Sequence, residues 1–311
     1  MQVFWQVLRA WLLAWLAAGL AAAQAHTVCV LSSEQGGAFQ EAAEALVQEW
    51  QRSGQPRSEL RLLSLAEYAE TGCGADTRLA ISLGTEAFRQ LSSGAGRSPI
   101  LAGLLPRSSY ERVLQDTPRR PAPPSAALYL DQPLGRQLDL LRLALPHVRR
   151  VGLLWGPESL AQQAAVQAAL QARGLEWSEG TLVEGQPLIA ALRAALQDAD
   201  VLLAVADGRV YNASSIANIL LTSYRAGTPV LAFSPAYVKA GALLALHSTA
   251  AQAGVRLANL AGHYLQSGVL PASQYPADFQ ISANPYVARS LGLVLDPQAL
   301  GEHLRKPEKR P

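Results

Sequence analysis

Residue types that do chemistry are present in this chain, but they are not spaced to do it. The five histidines stand apart, at His26, His147, His247, His263 and His303. None has a Cys, Asp or Glu beside it at metal-ligand spacing, so no metal is expected. No Gly-x-Ser-x-Gly elbow, phosphate loop or dinucleotide glycine pattern occurs, and no cofactor is expected. A Ser-His-Asp set assembled only in space leaves no mark on a sequence, so a secreted hydrolase stays open as one reading.

Residues suited to holding a small molecule are better placed. Ser32 and Ser33 close an apolar run just before a helix, and Thr85 opens another helix after Leu83-Gly84. A helix start offers free N–H groups and a partial positive charge, which suit an anionic group. Asp207 follows an apolar run and could accept from a ligand amine. Trp155 and Tyr211 could cover an apolar part. In the stretch Phe233 to Thr249, Ser234 could donate a hydrogen bond and Tyr237 could stack and bond at once, while Gly241 lets the backbone turn. Each position also has a plain structural role. Serines and threonines cap helices, Asp207 fits a turn before Gly208, Trp155 fits a cleft wall without specific contact, and Tyr237 fits a core.

The elements that must position these residues alternate. HTVCVLSS, ELRLLSL, RLAISLG and SPILAGLL read as strands, and a helical face of Phe39, Ala43, Leu46, Val47 and Trp50 follows the first. A proline-rich loop leads to SAALYL. The second series begins with Leu134, Leu138, Leu141 and Leu145 on one helix face, then the strand RRVGLLWG. Ser159 with Gln162 reads as a capping box. LEWSEG, VLLAVAD and PVLAFS complete the strands. Continuously apolar strands alternating with helices predict two parallel sheets covered on both faces, with ligand bound at the strands' carboxyl edges. LYLDQPLG, ALLALHST and GVLPASQYPADFQIS read as crossings between the halves, with Asp131 and His247 as hinge positions. Asp131 also fits a cap on the helix after Pro133. The helix after His247 packs back on the first half.

Residues 1–25 carry Arg9, then a short apolar core, then Ala-Gln-Ala before His26. This reads as a secretory signal cut after Ala25, and places the mature chain in the periplasm. A retained membrane anchor is the alternative, and no other segment is long and apolar enough to span. Export exposes Cys29 and Cys73 to an oxidising compartment, so a disulfide is expected, with two separate buried thiols as the alternative. Net charge is +2 and dispersed, which argues against nucleic acid.

DQPLGRQLDLLRLALPHVRRVGLLWGP, the run from Asp198 to Thr249 and the closing ISANPYVARSLGLVL together resemble the substrate-binding family of ABC transporters with the type I periplasmic binding protein fold. The resemblance implies two Rossmann-like α/β lobes, with parallel sheets flanked by helices and three crossing segments. The lobes are expected at residues 26–130 with 248–270, and 131–247 with 275–300, followed by a disordered tail at 301–311. It implies closure on a small molecule and no catalysis. Serines and threonines at helix starts, with an Asp and aromatics, point to an amino-acid-like ligand, and a monomer whose closed form docks on an ABC permease is expected. A ligand-sensing subunit for a membrane receptor would use the same cleft.

Overall fold

The computed structural model describes residues 28–117 and 122–308. The expected leader and its cleavage site lie outside the described residues. The first sheet contains β1 (Val28–Ser32), β2 (Leu60–Ser64), β3 (Leu79–Leu83), β4 (Ile100–Leu105) and β5 (Ser125–Tyr129). Their order is β2-β1-β3-β4-β5, all parallel. Between them run α1 (Gly37–Arg52), α2 (Leu65–Thr71), α3 (Thr85–Ser93) and α4 (Arg107–Asp116). In β1, Val28 and Val30 pack with Leu46 and Trp50, whereas Cys29 and Leu31 pack with Phe88 and Ile100. Successive side chains point to opposite faces, and both faces are covered, which is why the strand is apolar throughout.

The second sheet contains β6 (Arg150–Trp155), β7 (Glu176–Thr181), β8 (Val201–Leu203), β9 (Val230–Ala232), β10 (Leu244–His247) and β11 (Gln280–Ala283). The order is β11-β10-β9-β8-β6-β7, with β11 alone antiparallel. Helices α5 (Leu134–Ala144), α6 (Gln163–Gln171), α7 (Leu188–Leu196), α8 (Ile216–Arg225) and α9 (Pro235–Ala240) flank it. At Gly180 an added Cβ would lie 1.7 Å from the Ala191 carbonyl oxygen, so α7 rests directly on β7.

After β10 the chain returns to the first lobe as α10 (Ala250–Ser267), opened by a Thr249/Gln252 capping box. Leu257, Leu260 and Ala261 complete the apolar cluster that holds Leu46 and Trp50. The chain then runs along β5, where Gln274 exchanges backbone hydrogen bonds with Ala127 and Tyr129, and recrosses to β11. The passages between sheets lie between Tyr129 and Leu134, at Ser248-Thr249, and between Gln274 and Gln280.

α11 (Pro285–Ser290) and α12 (Pro297–Glu308) finish the described chain. The tail from 301 is therefore helical as far as Glu308, contrary to the expectation of disorder. Leu300 and Leu304 recur at helical spacing and pack on the second lobe, and the Arg305 guanidinium lies 4.9 Å over the Phe279 ring. Burying Leu304 contributes about 2 kcal/mol towards holding this charged helix against the second lobe. The Ser159/Gln162 capping box does not form either. The Ser159 hydroxyl accepts from Gly156 N and donates to Asp207 instead.

Candidate functional site

The carboxyl edges of β4, β5, β8, β9 and β10 meet around a cavity of about 200 Å³ between the lobes. Arg107, Glu111, Asp131 and Tyr275 form one wall. Gln162, Val205, Phe233 and Leu246 form the other. Sheet edges of this kind are where open α/β folds bind ligands.

Arg107 opens α4 just beyond an irregularity in β4, where the register against β5 shifts between Ala102 and Leu105 and Leu104 takes φ 54°. Its backbone N–H donates to Asp131 Oδ2 at 2.6 Å, so a carboxylate from the first crossing caps a first-lobe helix. Its guanidinium donates to Glu111 at 2.7 Å and to the Tyr275 hydroxyl at 3.2 Å. Tyr275 and Glu111 hold that guanidinium's pKa above its ordinary value. Burial pushes the Asp131 carboxyl upward, with the Arg107 N–H opposing. The cavity thus holds one cation already engaged by Glu111 and Tyr275, and a second carboxylate, Asp131. On the far wall the Gln162 side-chain N–H₂ is buried, with no acceptor among the described residues. Phe233 and Leu246 supply apolar surface.

The three passages are tied into one network. Gln132 Nε2 donates to Ser248 Oγ at 2.8 Å, and Ser248 Oγ donates to the Asp278 carbonyl at 2.6 Å. The buried Arg136 donates to Gln132 Oε1 at 2.7 Å and to the Pro276 carbonyl at 3.0 Å, with its guanidinium 4.5 Å over Phe279.

A family model described as ABC transporter substrate binding protein matches residues 130–298, more than half of the chain. The chain belongs to this family. Solved structures agree on the fold. A conserved domain protein from Vibrio cholerae is 19% identical with TM-score 0.63, over 89% of this chain and 98% of that one. A domain from Streptococcus pneumonia solved with L-Trp is 15% identical with TM-score 0.61, over 88% and 98%. CD0873, an open ligand-free substrate-binding protein from Clostridium difficile, is 15% identical with TM-score 0.68, over 86% and 95%. A search of curated proteins finds no match.

In this substrate-binding protein, the residues expected to touch ligand stand mostly behind the cavity. Trp155 is 0% exposed, and its indole donates to Glu179 at 3.0 Å. It shares strand parity with Val151 and Leu153, so it points into the helix-covered core rather than the cleft. Asp207 is buried and organises a loop. Its Oδ2 accepts from Glu158 N, Ser159 N and Ser159 Oγ, and its Oδ1 from Arg209 N, and it does not line the interlobe cavity. Tyr211 is buried, and burial with Asp207 nearby raises its phenol pKa. Tyr237 donates to the Tyr211 carbonyl at 3.0 Å. Both rings pack edge-on against Phe233, the residue that does face the cavity, and lie tilted to each other.

Ser234 caps α9 through Ala236 N. Ser33 accepts from Ala87 N, so it caps α3 rather than the helix that follows it in sequence. Ser32 donates to the Glu34 carbonyl and borders a separate first-lobe hollow of about 270 Å³. Thr85 is the first residue of α3 and does not line the interlobe cavity. Asp131 lines the cavity, and it caps α4 instead of the helix after Pro133. His247 ends β10 with Nε2 3.0 Å from Ser282 Oγ. The passage-tying residues beside these two positions, Gln132 and Ser248, were missed. A buried Arg136 on an otherwise apolar helix face was their one sequence signal.

Cys29 and Cys73 are joined by a disulfide beneath the first sheet. Among the described residues, no cluster of three or more His, Cys, Asp or Glu could hold a metal ion. No helix of the described residues is long and apolar enough to cross a membrane.

Proposed function

We propose that the chain is exported, with cleavage after Ala25, and captures a small amino-acid-like solute between its lobes for delivery to an ABC permease as a monomer. The observation that carries this reading is the cavity between facing sheet edges, walled by residues of both lobes. Such a ligand bonds fully only when the lobes approach, so its differential affinity draws them together. The Asp131 carboxylate suits a ligand ammonium. The Gln162 amide suits a carboxylate or carbonyl oxygen. Phe233 and Leu246 suit an apolar side chain. The L-Trp in the pneumococcal structure of the same fold is consistent with that chemistry.

A thermal-shift screen of free amino acids and related amines and acids on residues 26–311 tests the proposal, because a ligand of the folded state raises Tm. The expected hit raises Tm and reduces the radius of gyration in small-angle scattering. A tight ligand that leaves the radius unchanged rules out closure. A panel in which only molecules lacking a protonated nitrogen bind rules out the amino-acid-like class.

A further inference from the structure

Beside the cavity, one charged pair spans the lobes. Arg112 lies on α4 of the first lobe, next to Glu111. Its guanidinium pairs with the Glu158 carboxylate, which belongs to the loop after β6 in the second lobe. Glu158 is 12% exposed and Arg112 41%, so the pair is partly shielded from solvent. The second-lobe partner is held from behind. Glu158 Oε2 accepts from Gly208 N at 3.1 Å, and Glu158 N donates to Asp207 Oδ2 at 2.9 Å. The buried Asp207 thereby fixes the loop that presents the carboxylate. Arg209 and Glu184 line the same interlobe hollow.

We propose that the Arg112–Glu158 pair is a latch that holds the two lobes together before ligand arrives. The proposal rests on the hinge-closure reading above, because a latch has meaning only if the lobes can part. The pair is made by protein groups alone, on α4, the helix that also supplies Arg107 and Glu111 to the cavity wall. A ligand entering the cavity therefore meets lobes already biased towards approach, and it need supply less differential affinity to complete closure. An ion pair whose cation is partly exposed is also screened by salt, so the bias weakens as ionic strength rises.

The described residues hold no free cysteine, so paired spin labels at Glu44→Cys on α1 and Arg225→Cys on α8 report the interlobe distance specifically. In the ligand-free protein at low salt, one short distance should dominate. Arg112→Gln, which leaves the Glu158 loop intact, should shift the ratio of short to long distances about five-fold. Salt at about 0.5 M should produce the same shift. Long and short populations that ignore Arg112→Gln and salt would overturn the latch and leave hinge motion standing. A single unvarying distance in every variant and salt, with no change on adding a ligand found in the screen, would overturn the latch and hinge closure together.

Discussion

Gln132 and Ser248 are 116 residues apart in sequence and 2.8 Å apart in space, and their hydrogen bond ties the first passage between the lobes to the second. Arg136 extends the tie to the third passage through the Pro276 carbonyl. Gln132→Ala removes the acceptor of a buried guanidinium and the donor to Ser248 together. Arg136 keeps the Pro276 carbonyl and Ser248 keeps the Asp278 carbonyl, so the variant loses two hydrogen bonds, one of them charged, at a cost of about 1–3 kcal/mol. Urea unfolding should show a loss of that size, and small-angle scattering should show a wider spread of shapes. Unchanged stability would mean that the network is incidental.

Gly254 is where α10 meets α1. A Cβ there would lie 2.1 Å from the Ala42 carbonyl oxygen, which is backbone and cannot swing aside. Gly254→Ala should force the helices apart and cost about 1–3 kcal/mol, against the small gain an alanine gives in an open helix. Thermal denaturation checks it, with Gly262→Ala as the control, since nothing lies within 4 Å there.

Burial depresses the pKa of His247 below its usual 6.5. In the pH range between the folded and unfolded pKa values, the unfolded chain binds the extra proton. This contribution to stability is therefore fully present above the unfolded pKa, falls as pH drops below 6.5, and stops falling below the folded pKa. The Tm of the wild type should decline on acidification through pH 6, and His247→Gln should flatten that part of the curve. Parallel curves for the two proteins would exclude the histidine as the cause.

Much of the architecture could be read from the residues alone because both faces of most strands are covered. Apolar runs such as those at Val28–Leu31 and Val201–Leu203 then stand out without any partner being known. The site was harder to read for two reasons. Side-chain direction at a strand end depends on parity, and Trp155 falls on the core side while Phe233, one residue before the serine singled out, reaches the cavity. Capping is not confined to neighbours in sequence either. Ser33 caps α3 across 54 residues, and Asp131 caps α4 across 24. Local patterns such as Ser159-x-x-Gln162 cannot compete when a buried Asp207 claims the hydroxyl.

Gln162 lines the cavity, and among the described residues its buried side-chain amide nitrogen has no acceptor. Gln162→Leu should therefore weaken binding of a ligand found in the screen by about ten-fold, the worth of one hydrogen bond of ~1.4 kcal/mol, with no loss of ligand-free Tm. Isothermal titration and a melt of the same sample measure both. A fall in Tm with unchanged affinity would assign the residue to the loop rather than the ligand.

Reduction of Cys29–Cys73 opens a loop with a sequence separation of 44. The first lobe should lose about 2–4 kcal/mol. Urea titrations with and without reductant should separate, and those of Cys29→Ala with Cys73→Ala should coincide with each other. Coincidence of the wild-type curves would show that the bond contributes nothing.

The helix that seals Leu46 and Trp50 of α1 comes from residues 250–267, after β10 of the second sheet. The first lobe's greasy flank stays bare while most of the polypeptide is still being made, and it cannot finish folding until the second lobe's strands up to β10 have been delivered. The first lobe therefore remains unfinished until the segment that follows β10 has been made, which leaves naked apolar surface open to chaperones that recognise it.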